Sequence, residues 1–446
     1  MATGTQAPPH ALDAVSRSPA IDAAPPVAPN LARAPEVRQI HANFVETLVF
    51  KGISTPLALG LVILQSRLLH TSGRGTFVLV VLSVTILARL LGQLGYAVTN
   101  LMRRRGLELR RLVQAGLAVG LVLGAGGTAA VVGWAGLTRG VGVTVAVIAA
   151  CALVPTIVWQ CISGVLLGLG RVRLWNVIQT LPPALTGVGM AVLVVGLHRG
   201  IRGAVLAWTL AHVLTALFAL AASRSIWLPL SLVQLLDSFN LALARLALTM
   251  GAVQVVNLVS YRIELFVLDR YRGIGRVGVY SIAVQAGETL WLVAAAIAAA
   301  VTAPCLQETG ERAASLITRS ALKALAYTAI IAVALGAVAP FLIPALLGHS
   351  FAGAATPLAF LLPGIVAYAP VTILVVYLSV RRGRPGLSLA VAVAGMVLTA
   401  AAAFVLVPRL GGSGAAVASS IGYAGGAVLT WWFFARLARA RLAQLA

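Results

Sequence analysis

Acidic residues are scarce in this chain: 11 Asp and Glu stand against 33 Lys and Arg in 446 residues, and all charged residues together make up 10%. Soluble domains carry about 25% charged residues, so a water-facing surface cannot be assembled from this composition. Cysteine is also rare, at three. Cys151, Cys161 and Cys305 lie in or at the end of apolar segments, with neither disulfide nor metal-ligand spacing. No glycine-rich phosphate loop of the GxxxxGK type occurs, which argues against ATP hydrolysis in this chain. Long polar connections that could carry catalytic carboxylates or histidines are lacking too, so membrane-embedded glycosyltransferase or polymerase chemistry is disfavoured and no enzyme activity is expected.

What fills the chain is apolar. It is 60% hydrophobic, with a mean hydropathy of +0.98. A membrane-spanning helix needs about 20 mainly apolar residues, and such runs follow one another from Phe44 to Phe434. They divide into residues 44–69, 76–101, 112–134, 141–168, 174–197 and 202–222. After a more polar stretch come 243–268, 277–306, 319–347, 355–379, 386–407 and 412–435. The expected fold is an all-α integral membrane protein of about twelve transmembrane helices, in two parallel six-helix lobes around a central cavity. The expected boundaries are a disordered, proline-rich cytoplasmic tail (1–42), the first lobe (43–222), a cytoplasmic linker (223–242), the second lobe (243–436) and a short cytoplasmic tail (437–446).

The net charge of +22 would suggest nucleic acid in a soluble protein, but here the cations cap apolar runs, so topology accounts for them and no nucleic-acid partner is expected. With the N-terminus inside, arginines and lysines favour the inner side by roughly two to one, which puts both termini in the cytoplasm of a cell-membrane protein.

The halves repeat. Gly75-Thr76-Phe77 opens the second span and Gly278-Val279-Tyr280 opens the eighth, while Gly203-Ala204-Val205 and Gly414-Ala415-Ala416 open the sixth and twelfth. Six spans separate the copies, so both enter the membrane in the same sense, and the substrate of such a transporter is expected at the seam near the midplane.

Charge within lipid is costly, about 2.5–3.5 kcal/mol on insertion scales, so buried polar residues mark the expected lining. Thr85, Arg89, Gln93, Tyr96 and Asn100 share one helical face in span two, and Gln285 and Glu288 with Ser281 and Trp291 share one in span eight. Lys51 in span one, and Gln254, Asn257, Tyr261 and Glu264 in span seven, complete the set. The two stripes are expected to look at each other across the seam. Against this, Lys51, Arg262 and Glu264 could snorkel to the headgroups, Arg89 and Glu288 could be a structural ion pair locking the lobes, and His212 reads as a packing residue. A cavity with Arg89, Lys51 and Arg262 favours an anion, and the planar arginine fork suits a pyrophosphate.

Further stretches carry a family likeness: Leu167-Gly168-Leu169-Gly170-Arg171 with Asn176 and Leu181-Pro182-Pro183; Tyr261-Arg262-Ile263-Glu264 with Glu288-Thr289-Leu290-Trp291; and Leu361-Leu362-Pro363-Gly364 with Gly383-Arg384-Pro385 and Val407-Pro408-Arg409. On these the chain resembles, over about residues 44–435, the polysaccharide transporter (O-antigen flippase-like) branch of the multidrug/oligosaccharidyl-lipid/polysaccharide exporter superfamily. The resemblance implies two lobes around a cationic cavity that carry undecaprenyl-pyrophosphate-linked sugars from inner to outer leaflet by alternating access. It implies pyrophosphate-binding roles for Arg89 and Arg262, and Glu264 stands where an Asp is more usual. Glu288 and Glu264 are the candidates for ion pairing or coupling. The implied partners are the lipid-linked sugar, membrane lipids, and glycosyltransferases or a polymerase of the same pathway, with no cofactor or metal. A drug or metabolite exporter of the same fold, or a non-transporting membrane protein of sugar assembly, is the alternative.

Overall fold

The computed structural model describes residues 37–105, 108–137, 142–229 and 238–439. The expected N-terminal tail up to residue 36, much of the linker (230–237) and the last seven residues lie outside the described residues, as does the side chain of Lys51. Helices are the only repetitive structure among the described residues, as apolar chain in lipid requires, because only a helix or a closed barrel satisfies every backbone polar group there.

The helices are α1 (Val37–Leu91), α2 (Leu94–Arg105), α3 (Leu109–Leu137), α4 (Val143–Ala150), α5 (Leu153–Gly168), α6 (Val172–Met190), α7 (Gly200–Ala222) and α8 (Arg224–Trp227). Then follow α9 (Ser238–Ser260), α10 (Ile263–Arg272), α11 (Ile274–Glu288), α12 (Trp291–Gln307), α13 (Gly310–Leu347), α14 (Ala355–Val375), α15 (Pro385–Leu410) and α16 (Gly412–Arg439).

Ten helical stretches among the described residues are long and apolar enough to cross a bilayer. One of them, Gly52–Met102, spans 51 residues and holds two crossings. Its helical backbone is interrupted at His70, where φ is 53° and ψ is −172°. An Arg74 guanidinium nitrogen lies 3.3 Å from the carbonyl of Val62, twelve positions earlier; along a straight helix those residues would be about 18 Å apart. The chain therefore doubles back at His70, with no loop. The terminal helix α16, rich in glycine, serine and tryptophan, falls short on apolarity alone and supplies the remaining crossing. Expected spans one to twelve thus map onto the two halves of α1 (the second with α2), α3, α4–α5, α6, α7, α9–α10, α11–α12, α13, α14, α15 and α16.

Burial divides along the same line. One apolar core is built from residues between Leu69 and Ala247. A second runs from Leu265 to Tyr423, with Leu79 and Leu82 buried in it from the first half and Val62, Ile63, Val78 and Ile86 packed against it; a third, beside it, runs from Ala294 to Phe434. One core in the first half and two adjoining cores in the second make two lobes. Leu243 and Ala247 of α9 pack into the first core, so α9 starts against one lobe and its continuation α10 belongs to the other.

The lobes meet where α1 crosses α11. A Cβ on Gly75 would lie 2.0 Å from the Ile274 carbonyl oxygen and 3.0 Å from the Gly278 nitrogen; one on Gly278 would lie 2.0 Å from the Thr71 carbonyl oxygen and 3.0 Å from the Gly75 nitrogen. Thr71 and Ile274 each precede their glycine by one helical turn, so the contact is reciprocal, as an isologous contact about a local two-fold is. Glycine is required at both positions because the backbones touch. This contact closes one end of the seam, called here the closed end. A second approach brings Gly251 of α9 against Leu90, whose carbonyl oxygen would lie 1.9 Å from an added Cβ.

Candidate functional site

Three charged residues of the expected spans sit at helix interruptions. Arg89 lies in the last turn of α1, just before the break at Gly92 and Gln93. Arg262 occupies the break between α9 and α10, with φ −139°, and Glu288 is the last residue of α11 before the turn into α12. Interrupted helices at membrane depth are tolerated where they line a cavity or are enclosed by protein, and transporter sites are typically built there.

Three polar stations result. In the first lobe, Arg89 opens onto a small pocket of about 80 Å³ with Gln93, Tyr96, Gln160, Ser163 and Gln179. The Gln179 amide donates to the Ser163 hydroxyl at 3.1 Å, fixing that wall. No carboxylate lines this pocket, and among the described ion pairs none involves Arg89. Arg89 itself is exposed, and Gly92 and Trp159 complete the pocket wall beside it.

In the second lobe, Arg262 grips Glu288 with both arms of its fork, at 2.5 and 2.6 Å. About a fifth of each side chain is exposed. Beside them Tyr261 and Tyr368 share a hydroxyl contact of 2.8 Å, and Trp291 and Tyr423 close a ring cluster with centroids 5.4–6.0 Å from Tyr261. Glu264, one turn on from Tyr261, is fully buried and neither carboxylate oxygen closes a hydrogen bond.

The third station is at the seam itself. Arg74 is completely buried and bridges the lobes: it donates to Gln65 Oε1 at 3.2 Å on its own side, and to Ser281 Oγ at 3.1 Å and Gln285 Oε1 at 2.7 Å on the other. All its partners are neutral. The repeat makes this arrangement one-sided. At the 203-residue offset the counterparts of Arg74, Gln65, Ser281 and Gln285 are Val277, Leu268, Val78 and Leu82, and Val277, Leu268 and Leu82 are buried in the second core. One side of the local two-fold is polar; the other is apolar.

The expected lining is thus distributed between the stations. Arg89 and Gln93 stand in the first lobe, Tyr261, Arg262 and Glu288 come together in the second, and Gln285 joins the seam. Glu288 is paired with Arg262, so it forms no lock with Arg89. Thr85 and Asn257 bond carbonyls of their own helices, at 2.7 and 3.0 Å, Gln254 is exposed and Asn100 half-buried. Arg74 is the residue that sequence reasoning misses: Gly73-Arg74-Gly75 reads as a loop cation. The one signal that could have found it is its position beside the repeated glycine. Tyr368, Tyr423, Gln160 and Gln179 were likewise unmarked, because nothing within their own helices sets them apart from neighbouring polar residues. Among the described residues no group of three or more potential metal ligands forms.

No family model matches this sequence, and no curated protein resembles it at the sequence level. By fold the chain is similar to an inward-facing multidrug-resistance MATE family transporter of the MOP superfamily, with a TM-score of 0.71, 19% identity, and 88% of this chain and 96% of that one covered. It is similar to an outward-facing MATE family transporter at a TM-score of 0.59, with 18% identity, 90% and 96% covered. It is similar to the lipid II flippase MurJ in an inward closed conformation at a TM-score of 0.74, with 11% identity and 87% of each chain covered. The chain has the two-lobe fold that these transporters share.

Proposed function

We propose that this protein is a membrane transporter that moves a polyprenyl-pyrophosphate-linked oligosaccharide between leaflets by alternating access, for cell-surface polysaccharide synthesis. The observation that carries this reading is the sign of the accessible charge. Arg89 is exposed beside a pocket that no carboxylate lines, and no described ion pair involves it, while Glu288 is occupied by Arg262 and Glu264 is fully buried. An exporter of cations wants accessible acid in its path; an arginine with no carboxylate partner attracts an oxyanion, and its planar fork holds phosphate bidentately.

In this reading the closed end faces the outer leaflet and both termini face the cytoplasm. The pyrophosphate enters between the lobes and meets Arg89, with Arg262 released to it when Glu288 exchanges partner. The sugars occupy the aqueous gap and the prenyl chain stays in lipid. The lipid II flippase that shares the fold supports the substrate class. The fold is equally that of multidrug-resistance transporters, which makes a drug exporter the rival.

Proteoliposomes separate the two. Translocation of a labelled pyrophosphate-linked oligosaccharide lipid, with no protein-dependent movement of lipophilic cations, is the expected result. Cation movement without lipid translocation would establish the exporter instead.

A further inference from the structure

At the closed end, the second lobe holds a cavity of about 400 Å³, within the size range of small-molecule sites. It lies outside the seam, and three arginines line it: Arg272, Arg276 and Arg409. No lining residue carries a carboxylate.

Arg272 has a structural explanation. It donates to the carbonyls of Pro408 and Arg409 at 2.7 and 2.9 Å, so its cation caps the negative C-terminal end of α15. Arg276 and Arg409 have none: both are exposed, and neither side chain makes a hydrogen bond or ion pair among the described contacts. Nor does the repeat demand them. The first-lobe counterparts of Arg272 and Arg276 are Leu69 and Gly73, and that of Arg409, at the 211-residue offset of the twelfth span, is His198. Holding three like charges around one cavity with no counter-charge is unfavourable until an anion enters.

The backbone adds to the same field. Arg276 is in the first turn of α11, Thr356 and Pro357 in that of α14, and Gly412 and Ser413 in that of α16. Two helix N-termini, those of α11 and α16, each with its positive dipole end, therefore converge on the arginine-lined cavity, while α14 continues from a 3-10 turn over His349–Ala354. The N-cap of α11, Gly273, offers no side-chain hydrogen bond to its first turn.

We infer that this cavity is a binding site for a phosphate group, distinct from the seam and independent of what the seam carries. Arg276 and Arg409 clamp the anion, and Arg272 shapes the wall. The phosphate chemistry has two sources at this depth, the head group of an anionic phospholipid or a soluble phosphate compound.

The test uses the full chain in nanodiscs of zwitterionic lipid, titrated with inorganic pyrophosphate, comparing wild type with the double variant R276Q/R409Q. The seam is intact in both, so the difference reports this site alone. The double variant is expected to bind about tenfold more weakly or worse, and wild-type binding to weaken as salt rises. R312Q, at an exposed arginine in α13, controls for general charge, and an unchanged Tm without ligand controls for folding. A parallel arm measures phosphatidylglycerol co-purifying with each protein from mixed-lipid nanodiscs by native mass spectrometry. Pyrophosphate discrimination alone assigns a soluble ligand; loss of retained phosphatidylglycerol in the double variant assigns a lipid head group. If wild type and R276Q/R409Q behave alike in both arms, the site does not exist.

Discussion

Arg74 of the first lobe donates to Gln285 of the second at 2.7 Å, while the repeat counterparts of these two residues, Val277 and Leu82, are buried among apolar neighbours. A duplicated bundle has thus placed a buried cation on one side of its local symmetry axis only. That asymmetry gives the closed end a polar fastening next to a backbone-to-backbone glycine contact.

Replacing Arg74 with Leu should leave Gln65, Ser281 and Gln285 without their shared donor, at a cost of about 1–3 kcal/mol. The expected readout is a lowered Tm in detergent with helical content intact by circular dichroism. Arg74→Lys, which keeps the charge without the fork, should fall between.

Gly75→Val should act on conformation. An added Cβ there meets the Ile274 carbonyl at 2.0 Å, so the closed end cannot close, yet each lobe retains its own core. With the three native cysteines removed, spin labels at Arg202→Cys and Leu410→Cys should report a longer and broader distance distribution in Gly75→Val than in its parent. An unchanged distribution would show that this contact does not set the lobe arrangement.

The Arg262 and Glu288 pair gives a third expectation. Removing only Glu288 strands a largely enclosed guanidinium, which costs about 3–5 kcal/mol, whereas replacing both partners with apolar residues of similar volume is near neutral. Thermal denaturation of Glu288→Leu, Arg262→Met and the double variant should therefore rank the double above Glu288→Leu.

The spans and the repeat were legible from sequence for a simple reason: the bilayer imposes a length on every apolar run, and the contact of Gly75 with Gly278 leaves a mark that side-chain drift cannot erase. Arg89, Gln93 and Tyr96 do line one pocket, although the helix breaks at Gly92 and Gln93 between them, so continuous helical spacing is not what brings them together. Spacing does not fix what a face meets. The stripes of spans two and eight were expected to look at each other, but Glu288 is held within its own lobe by Arg262 across one helix break, and Thr85 turns back on its own helix. Arg74 was hidden for a related reason. A short polar run between two spans looks like a loop, and its burial depends on Ser281 and Gln285, more than 200 positions away.

The central claim, that Arg89, an arginine with no carboxylate partner among the described ion pairs, holds the phosphates of a lipid-linked sugar, is tested most directly by the rate at which Arg89→Ala translocates a labelled pyrophosphate-linked oligosaccharide lipid in proteoliposomes. The account predicts loss of translocation, partial recovery in Arg89→Lys, and normal protein levels and Tm in both. Wild-type rates in Arg89→Ala would contradict it.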